Sequence, residues 1–213
     1  MVRRKPPKSS RVAEPLNKGA VTRMKVVNAA IRVLARDGFA FTSFKAIADL
    51  AKVKQPTVFY YFPDKNDLVE GVVQEVVRRS HEWVKKGVNL QDDAFTRLTR
   101  HFKGNLVFFQ TCREDAQVLL MMAYFASYEK RFAAIYAETL RVARERILEI
   151  LYAGVREKLF HFKSEPEALA ELLHDALLGG CLNLLSSEKA RPVTIDADRK
   201  WRDFLVRETG YKS

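Results

Sequence analysis

Lys54, Gln55, Thr57, Tyr60, Tyr61 and Lys65 are side chains of the kinds that grip a nucleic acid, and they fall together on one short stretch. Lys54, Thr57, Tyr61 and Lys65 offer charge or hydroxyl donors to phosphate oxygens, contacts that position a protein without reading sequence. Gln55 carries both a donor and an acceptor, so it can pair bidentately with an adenine edge, and Tyr60 stands beside it nearest the bases. Other chemistries find less support. The chain has no Gly-x-Ser-x-Gly, no phosphate loop, and no His or paired carboxylate in a recognisable catalytic motif, so neither an enzyme nor a cofactor is expected. His174 and Cys181 lie seven apart on one helical face, which supplies two metal ligands at most, and no His-x-x-x-His or Cys-x-x-Cys joins them. Cys112 stands beside Arg113, a weak basis for a redox role. Two cysteines in all read as reduced thiols, not as a disulfide scaffold.

A helix-turn-helix is what would position the polar set. Thr42 and Ser43 can cap a short helix whose apolar residues Phe44, Ile47, Ala48 and Ala51 recur at helical spacing. Val53 and Lys54 turn the chain. Pro56 suits the first turn of a second short helix, where its missing N–H costs nothing. That helix points Val58 and Phe62 inward and leaves its polar, basic and aromatic residues for a major groove. The expected DNA-binding set is Thr42, Ser43, Lys54, Gln55, Pro56, Thr57, Tyr60, Tyr61 and Lys65.

Over residues 21–70 the chain resembles the DNA-binding domain of the TetR family of bacterial transcriptional regulators. The residues that carry the likeness come in order: Ala29-Ala30, Gly38-Phe39, Thr42-Ser43, Ile47-Ala48, Ala51-Lys52-Val53, Thr57, Phe62 and Lys65-Asn66-Asp67-Leu68. Two positions depart from the pattern. Lys52 replaces the usual turn glycine, so either it takes a left-handed backbone at some cost or the turn differs. Phe59 replaces the usual tyrosine and loses one hydroxyl. The resemblance implies an all-α homodimer, a double-stranded palindromic operator and a small-molecule effector bound in the C-terminal region. It implies a bacterial cytoplasmic protein, on the nucleoid when bound.

Charge agrees. Residues 1–65 hold 14 Lys/Arg against 4 Asp/Glu, a net of +10, whereas residues 66–213 come to +1. The excess sits on and before the helix-turn-helix, where a polyanionic partner needs it. No run of eighteen apolar residues is present and no apolar segment follows the basic N-terminus, so neither a membrane span nor a secretory signal is expected.

Residues 1–20 read as a disordered basic arm, either a flexible terminus or a segment reaching along DNA. A first helix runs from about Val21 to Gly38, covering the two short helices with Val26, Val27, Ala30, Val33 and Leu34. A fourth begins at the Asp64 cap, runs to about Lys86, and carries Lys65 towards DNA and His81 and Trp83 towards the rest of the protein. Apolar spacing then predicts helices over 92–111, 115–127, 129–161, 165–186 and 196–208, about nine in all. The expected division is an arm at 1–20, a three-helix DNA-binding domain at 21–65, and a larger helical effector-binding and dimerisation domain at 66–213.

Phe102, Met121, Met122, Phe125 and Tyr136 belong to an aromatic and methionine-rich middle, open to two readings: an ordinary packed core, or an effector cavity. Helix 165–186 is apolar over more width than a monomer surface needs, carries Gly179-Gly180, and, with Trp201, Phe204 and Leu205, reads as half of a four-helix dimer interface or as monomer core. The combined expectation is a repressor released from its operator by a small apolar effector. An architectural DNA binder without an effector, and a helical carrier or enzyme, are the rivals.

Overall fold

The computed structural model describes residues 18–186 and 195–212. Of the predicted arm, residues 1–17 lie outside the described residues. The rest is helical throughout, in the order α1 (Lys18–Phe41), α2 (Phe44–Ala51), α3 (Gln55–Tyr61), α4 (Lys65–Gly87), α5 (Ala94–Thr111), α6 (Arg113–Ala126), α7 (Lys130–Arg156), α8 (Pro166–Ser186) and α9 (Ile195–Thr209). An all-α chain with an N-terminal helix-turn-helix and a larger helical C-terminal region is what the sequence predicts.

Local signals set most of the ends. Gly38, at φ 73°, interrupts α1 after Asp37, and a short turn carries the chain on to Phe41. Ser43, not Thr42, caps α2: its hydroxyl accepts from the Ala46 N–H at 3.1 Å. Asp64 caps α4 by accepting from the Asp67 N–H at 2.7 Å, and Pro56 sits in the first turn of α3. Asp93 caps α5, a cap the sequence reading passed over. The long seventh helix ends at Arg156 and not near His161. The reason is a contact six residues back along the chain. The chain reverses through Lys158, and the Phe160 ring folds back over Gly154, where even a Cβ would meet it at 2.0 Å.

Two apolar cores form. One gathers Val26, Ala30, Leu34, Ile47, Val58 and Phe62 with Leu68, Val72 and Val76 of α4, and also takes in Val118, Met122, Phe125 and Phe132 from α6 and α7. The other packs Phe95, Leu98 and Phe102 of α5 against Ile147 and Leu151 of α7, Leu169, Leu173 and Leu177 of α8, and Leu205 of α9. α6 and α7 contribute to both cores, and α4 runs from the first core to a contact of Trp83 with Phe108 of the second, ring centroids 6.1 Å apart. By length and composition α8 would also suit a bilayer. Here Leu169, Leu173, Leu177 and Cys181 are engaged in the second core.

Lys52 resolves the question raised by its position. It adopts φ 56°, ψ 44°, the left-handed region, and the Val53 N–H closes the helix end on the Ala48 carbonyl at 3.0 Å. A side chain there costs roughly 1–2 kcal/mol. Lys52→Gly should therefore raise the urea midpoint at unchanged slope, by about 1 kcal/mol of stability.

Candidate nucleic-acid interface and internal cavity

The exposed side of α3 is built by what α3 buries. Val58 and Phe62 lie in the first core, which turns Lys54, Gln55, Pro56 and Tyr60 to solvent; Tyr60 is 81% exposed. Thr57 and Tyr61 are half-buried on the flanks. Tyr60 packs edge-on to Tyr61 at 5.1 Å, and Phe59 lies on Phe44 of α2 with ring centroids 4.5 Å apart, so the position lacking a tyrosine hydroxyl joins the two short helices instead.

Two expected DNA ligands have other partners. Thr42 is buried, and its hydroxyl donates to the Gly38 carbonyl at 2.7 Å, tying the end of α1 to the start of α2. The Lys65 ammonium lies 4.3 Å above the Phe39 ring and donates to the Ala40 carbonyl at 3.3 Å, with burial pushing its pKa below the usual lysine value. Ser43 is exposed but occupied as a cap.

The second site is a partly open cavity of about 210 Å³ bordered by α4, α5, α6, α7 and α8. Its walls are largely aliphatic and aromatic, among them Val84, Phe109, Leu119, Leu120 and Leu177. Of the residues expected to hold an effector, Met122 and Tyr136 line it. Phe102, Met121 and Phe125 are not among its lining residues. Phe102 packs against Trp201 in the second core, with ring centroids 5.5 Å apart, and Phe125 packs against Phe39 and Phe132 in the first. Met121 is half-buried against the first core. Helical spacing marks a residue as buried, but α6 is covered on more than one side, and spacing does not say which cover is solid.

The cavity also has a polar end that sequence reasoning missed. His81 of α4, His101 of α5 and His174 of α8 line it together with Arg146 of α7. Burial, helped by the positive charge of Arg146, pushes both His81 and His101 down to about 4. Burial likewise lowers His174, opposed by its contact with Asp175. The signal available in the sequence was polar residues standing inside apolar helical stripes. The Cys181 thiol, also on the wall, is pushed up to about 12 by burial.

An exposed polar and aromatic recognition helix, set on a supporting three-helix head and joined by one long helix to a hollow helical body, defines a helix-turn-helix DNA-binding regulator. The profile of the bacterial regulatory proteins, tetR family, matches residues 26–72. The chain is 26% identical over 182 residues to the HTH-type transcriptional regulator BetI of Vibrio campbellii, covering 83% of this chain and 89% of that one. It is 24% identical over 153 residues to the HTH-type transcriptional regulator LuxR of Vibrio harveyi, covering 71% and 73%. In fold it is similar to a transcriptional regulator from Saccharomonospora viridis solved in complex with choline, with TM-score 0.76, 19% identity, and 88% and 96% of the two chains covered. The chain is thus similar to TetR-family transcriptional regulators, through the family profile over residues 26–72 and through these relatives over most of its length.

His101 supplies a pH test of the buried polar end. Its folded pKa lies below its ordinary 6.5, so the unfolded chain binds more protons as the pH falls. The stability it permits is full above 6.5 and is lost progressively towards 4. At pH 5.5 the loss from this one group should be on the order of 1 kcal/mol. Urea titrations at pH 7.5 and 5.5 should show this drop, and His101→Gln should reduce it by about that amount.

Proposed function

We propose that the chain is a homodimeric repressor that reads a palindromic operator through α3 and leaves it when a small, mainly apolar effector fills the cavity. The single observation that carries this reading is the double engagement of α4. Its first half is buried in the core of the reading head, and Ser80, His81 and Val84 of its second half form cavity wall. Met122 of α6 does the same, lying in the head's core and on the cavity at once. A ligand that fits one placement of α4 and α6 better than another shifts the heads by its difference in affinity for the two placements.

On DNA, Gln55 and Tyr60 read base edges, while Lys54, Thr57 and Tyr61 hold phosphates. Pro56 starts the helix that presents them. Lys65 acts first as a strut against Phe39 and offers its remaining exposed surface to the backbone. Residues 21–65 serve as the reading head and 66–213 as the sensing and pairing body, in the cytoplasm. The choline of the Saccharomonospora protein does not transfer as a ligand: the cavity here presents a cation, Arg146, and no Asp or Glu among its described lining residues.

Pairing of copies falls to the outer face of α8. Gly180 is covered within the chain by the Trp201 indole, where a Cβ would meet the ring at 2.4 Å, whereas Gly179 faces open space. Ala168, Leu172, Gly179 and Asn183 are exposed on that open side. A two-fold pair would set the recognition helices about 34–36 Å apart or a little more, one turn of DNA. Leu172→Arg and Gly179→Arg should give folded monomers by light scattering, with unchanged helicity by circular dichroism. Leu177→Arg, at a buried site, should unfold the chain instead. Soluble dimers from the first two variants would place the interface elsewhere.

The operator can be recovered by selecting bound duplexes from a random pool. On that duplex Gln55→Ala should cost roughly 1–3 kcal/mol and relax the choice of base at one position per half-site. Lys54→Ala should weaken all sequences alike and lower the salt slope by about one per subunit. Full sequence preference in Gln55→Ala would exclude Gln55 as the base-reading residue.

A further inference from the structure

The polar end of the cavity holds a charge that the protein leaves without a counter-ion. Arg146 is half-buried on the wall, and burial pulls its pKa down from the usual arginine value. Its one favourable charge partner is the exposed Glu149 on its own helix, and no carboxylate forms an ion pair with it among the described residues. Two residues earlier, Arg144 is treated differently. Its guanidinium meets Glu171 at 2.8 Å and Asp175 at 3.2 Å on α8. The same helix thus carries one arginine paired with carboxylates and one that lines the cavity without an ion pair.

Withdrawing a charge from water without a partner is costly, and a fold usually avoids it. Around Arg146 the other polar lining residues, among them Ser80, Asn105, Tyr136 and Thr139, are neutral and supply no counter-charge. Burial pushes His81, His101 and His174 towards the neutral form; Arg146 opposes protonation of His81 and His101, while Asp175 partly offsets the effect at His174. The neutral imidazoles of His81 and His101 each keep one N–H to donate, whereas the Nδ1 of His174 faces Asp175 at 3.4 Å. A guanidinium with neutral N–H donors around it is suited to receive a carboxylate, whose two oxygens accept bidentately from arginine. The other walls, from Val84, Leu119, Leu120 and Phe109, offer only apolar contact.

We propose that the effector is a small monocarboxylate with an apolar body, its anionic head received by Arg146 beside the three histidines and its body lying against α6. This rests on the reading of the cavity as an effector site, and it names the chemical class that site takes.

The test uses the full-length protein and two matched probe series. One is hexanoate, octanoate, decanoate and 4-phenylbutyrate; the other is their methyl esters. In calorimetry at pH 7.5 at least one carboxylate should bind about tenfold or more tighter than its ester. Arg146→Gln should shrink that preference to about twofold or less, and Arg146→Lys should keep most of it. A ligand-free arm removes dependence on the probes. Arg146→Met should raise the melting temperature of the unliganded protein by a few degrees, because it deletes a charge that has no partner until ligand arrives.

Esters that bind as tightly as the acids, a preference that survives Arg146→Gln, or an Arg146→Met variant less stable than the parent would each overturn the carboxylate assignment. Esters that bind and release operator DNA while the acids do not would leave the effector cavity standing and remove only its anionic specificity. If neither series binds, the effector reading and the carboxylate assignment fall together.

Discussion

Everything in this molecule leans on the rigidity of α4. A helix of 23 residues runs about 34 Å. Because its hydrogen bonds are internal, a displacement at one end is carried to the other. Leu68, Val69, Val72, Val73 and Val76 are buried almost completely, so the first half cannot slide without disturbing the core that holds α3. The far half is packed more loosely, beside empty volume. A rod clamped at its DNA end and bordered by a cavity at the other is sensitive to what fills that cavity.

Charged groups seal the joint between head and body. Arg79 of α4 pairs with Glu75 at 2.7 Å, hydrogen-bonds Asn28 of α1 and reaches Asp115 of α6 at 3.6 Å. Its hydrogen bonds and charge, with those of Arg78, hold Glu75 below the usual carboxylate range, Arg78 having the larger share. At the start of α7, Arg131 pairs with Asp67 at 2.6 Å and with Glu70. The more exposed Arg131 pairs contribute little stability individually, whereas Glu75 is buried and would be left uncompensated without its arginines. Their geometry is directional, however, so they set the angle between α4 and its neighbours.

Much of this was legible in the sequence where the cause is local. Ser43, Asp64, Pro56 and Gly38 end or begin helices through bonds within a few residues, and the spacing of Val58 and Phe62 fixed which side of α3 faces out. Side chains that fold back onto their own segment were not legible. Nothing in the residue types near His161 announces that Phe160 folds onto Gly154, six residues back, and stops α7 early, and the Thr42 hydroxyl suits a cap or a phosphate as well as the Gly38 carbonyl that it takes. The cavity was half legible. Methionines and aromatics pointed to α6 and α7 and yielded Met122 and Tyr136. Phe102 and Phe125 look alike in sequence but fill solid core. The polar end needed four separate helices to bring His81, His101, His174 and Arg146 together, and no spacing within one helix encodes that.

The first core does not stop where the three-helix head stops. Val118, Met122, Phe125 and Phe132 belong to α6 and α7, yet they are buried among the residues that hold the recognition helix in place. This limits how such a regulator can be recombined. A head cut after Lys65 would leave Phe39, which packs on Phe125 with ring centroids 4.8 Å apart, partly uncovered, and a head grafted from a relative would meet an α6 face shaped for different side chains. New DNA specificity is therefore reached more easily by changing the outward residues of α3, whose neighbours are solvent, than by exchanging the head whole.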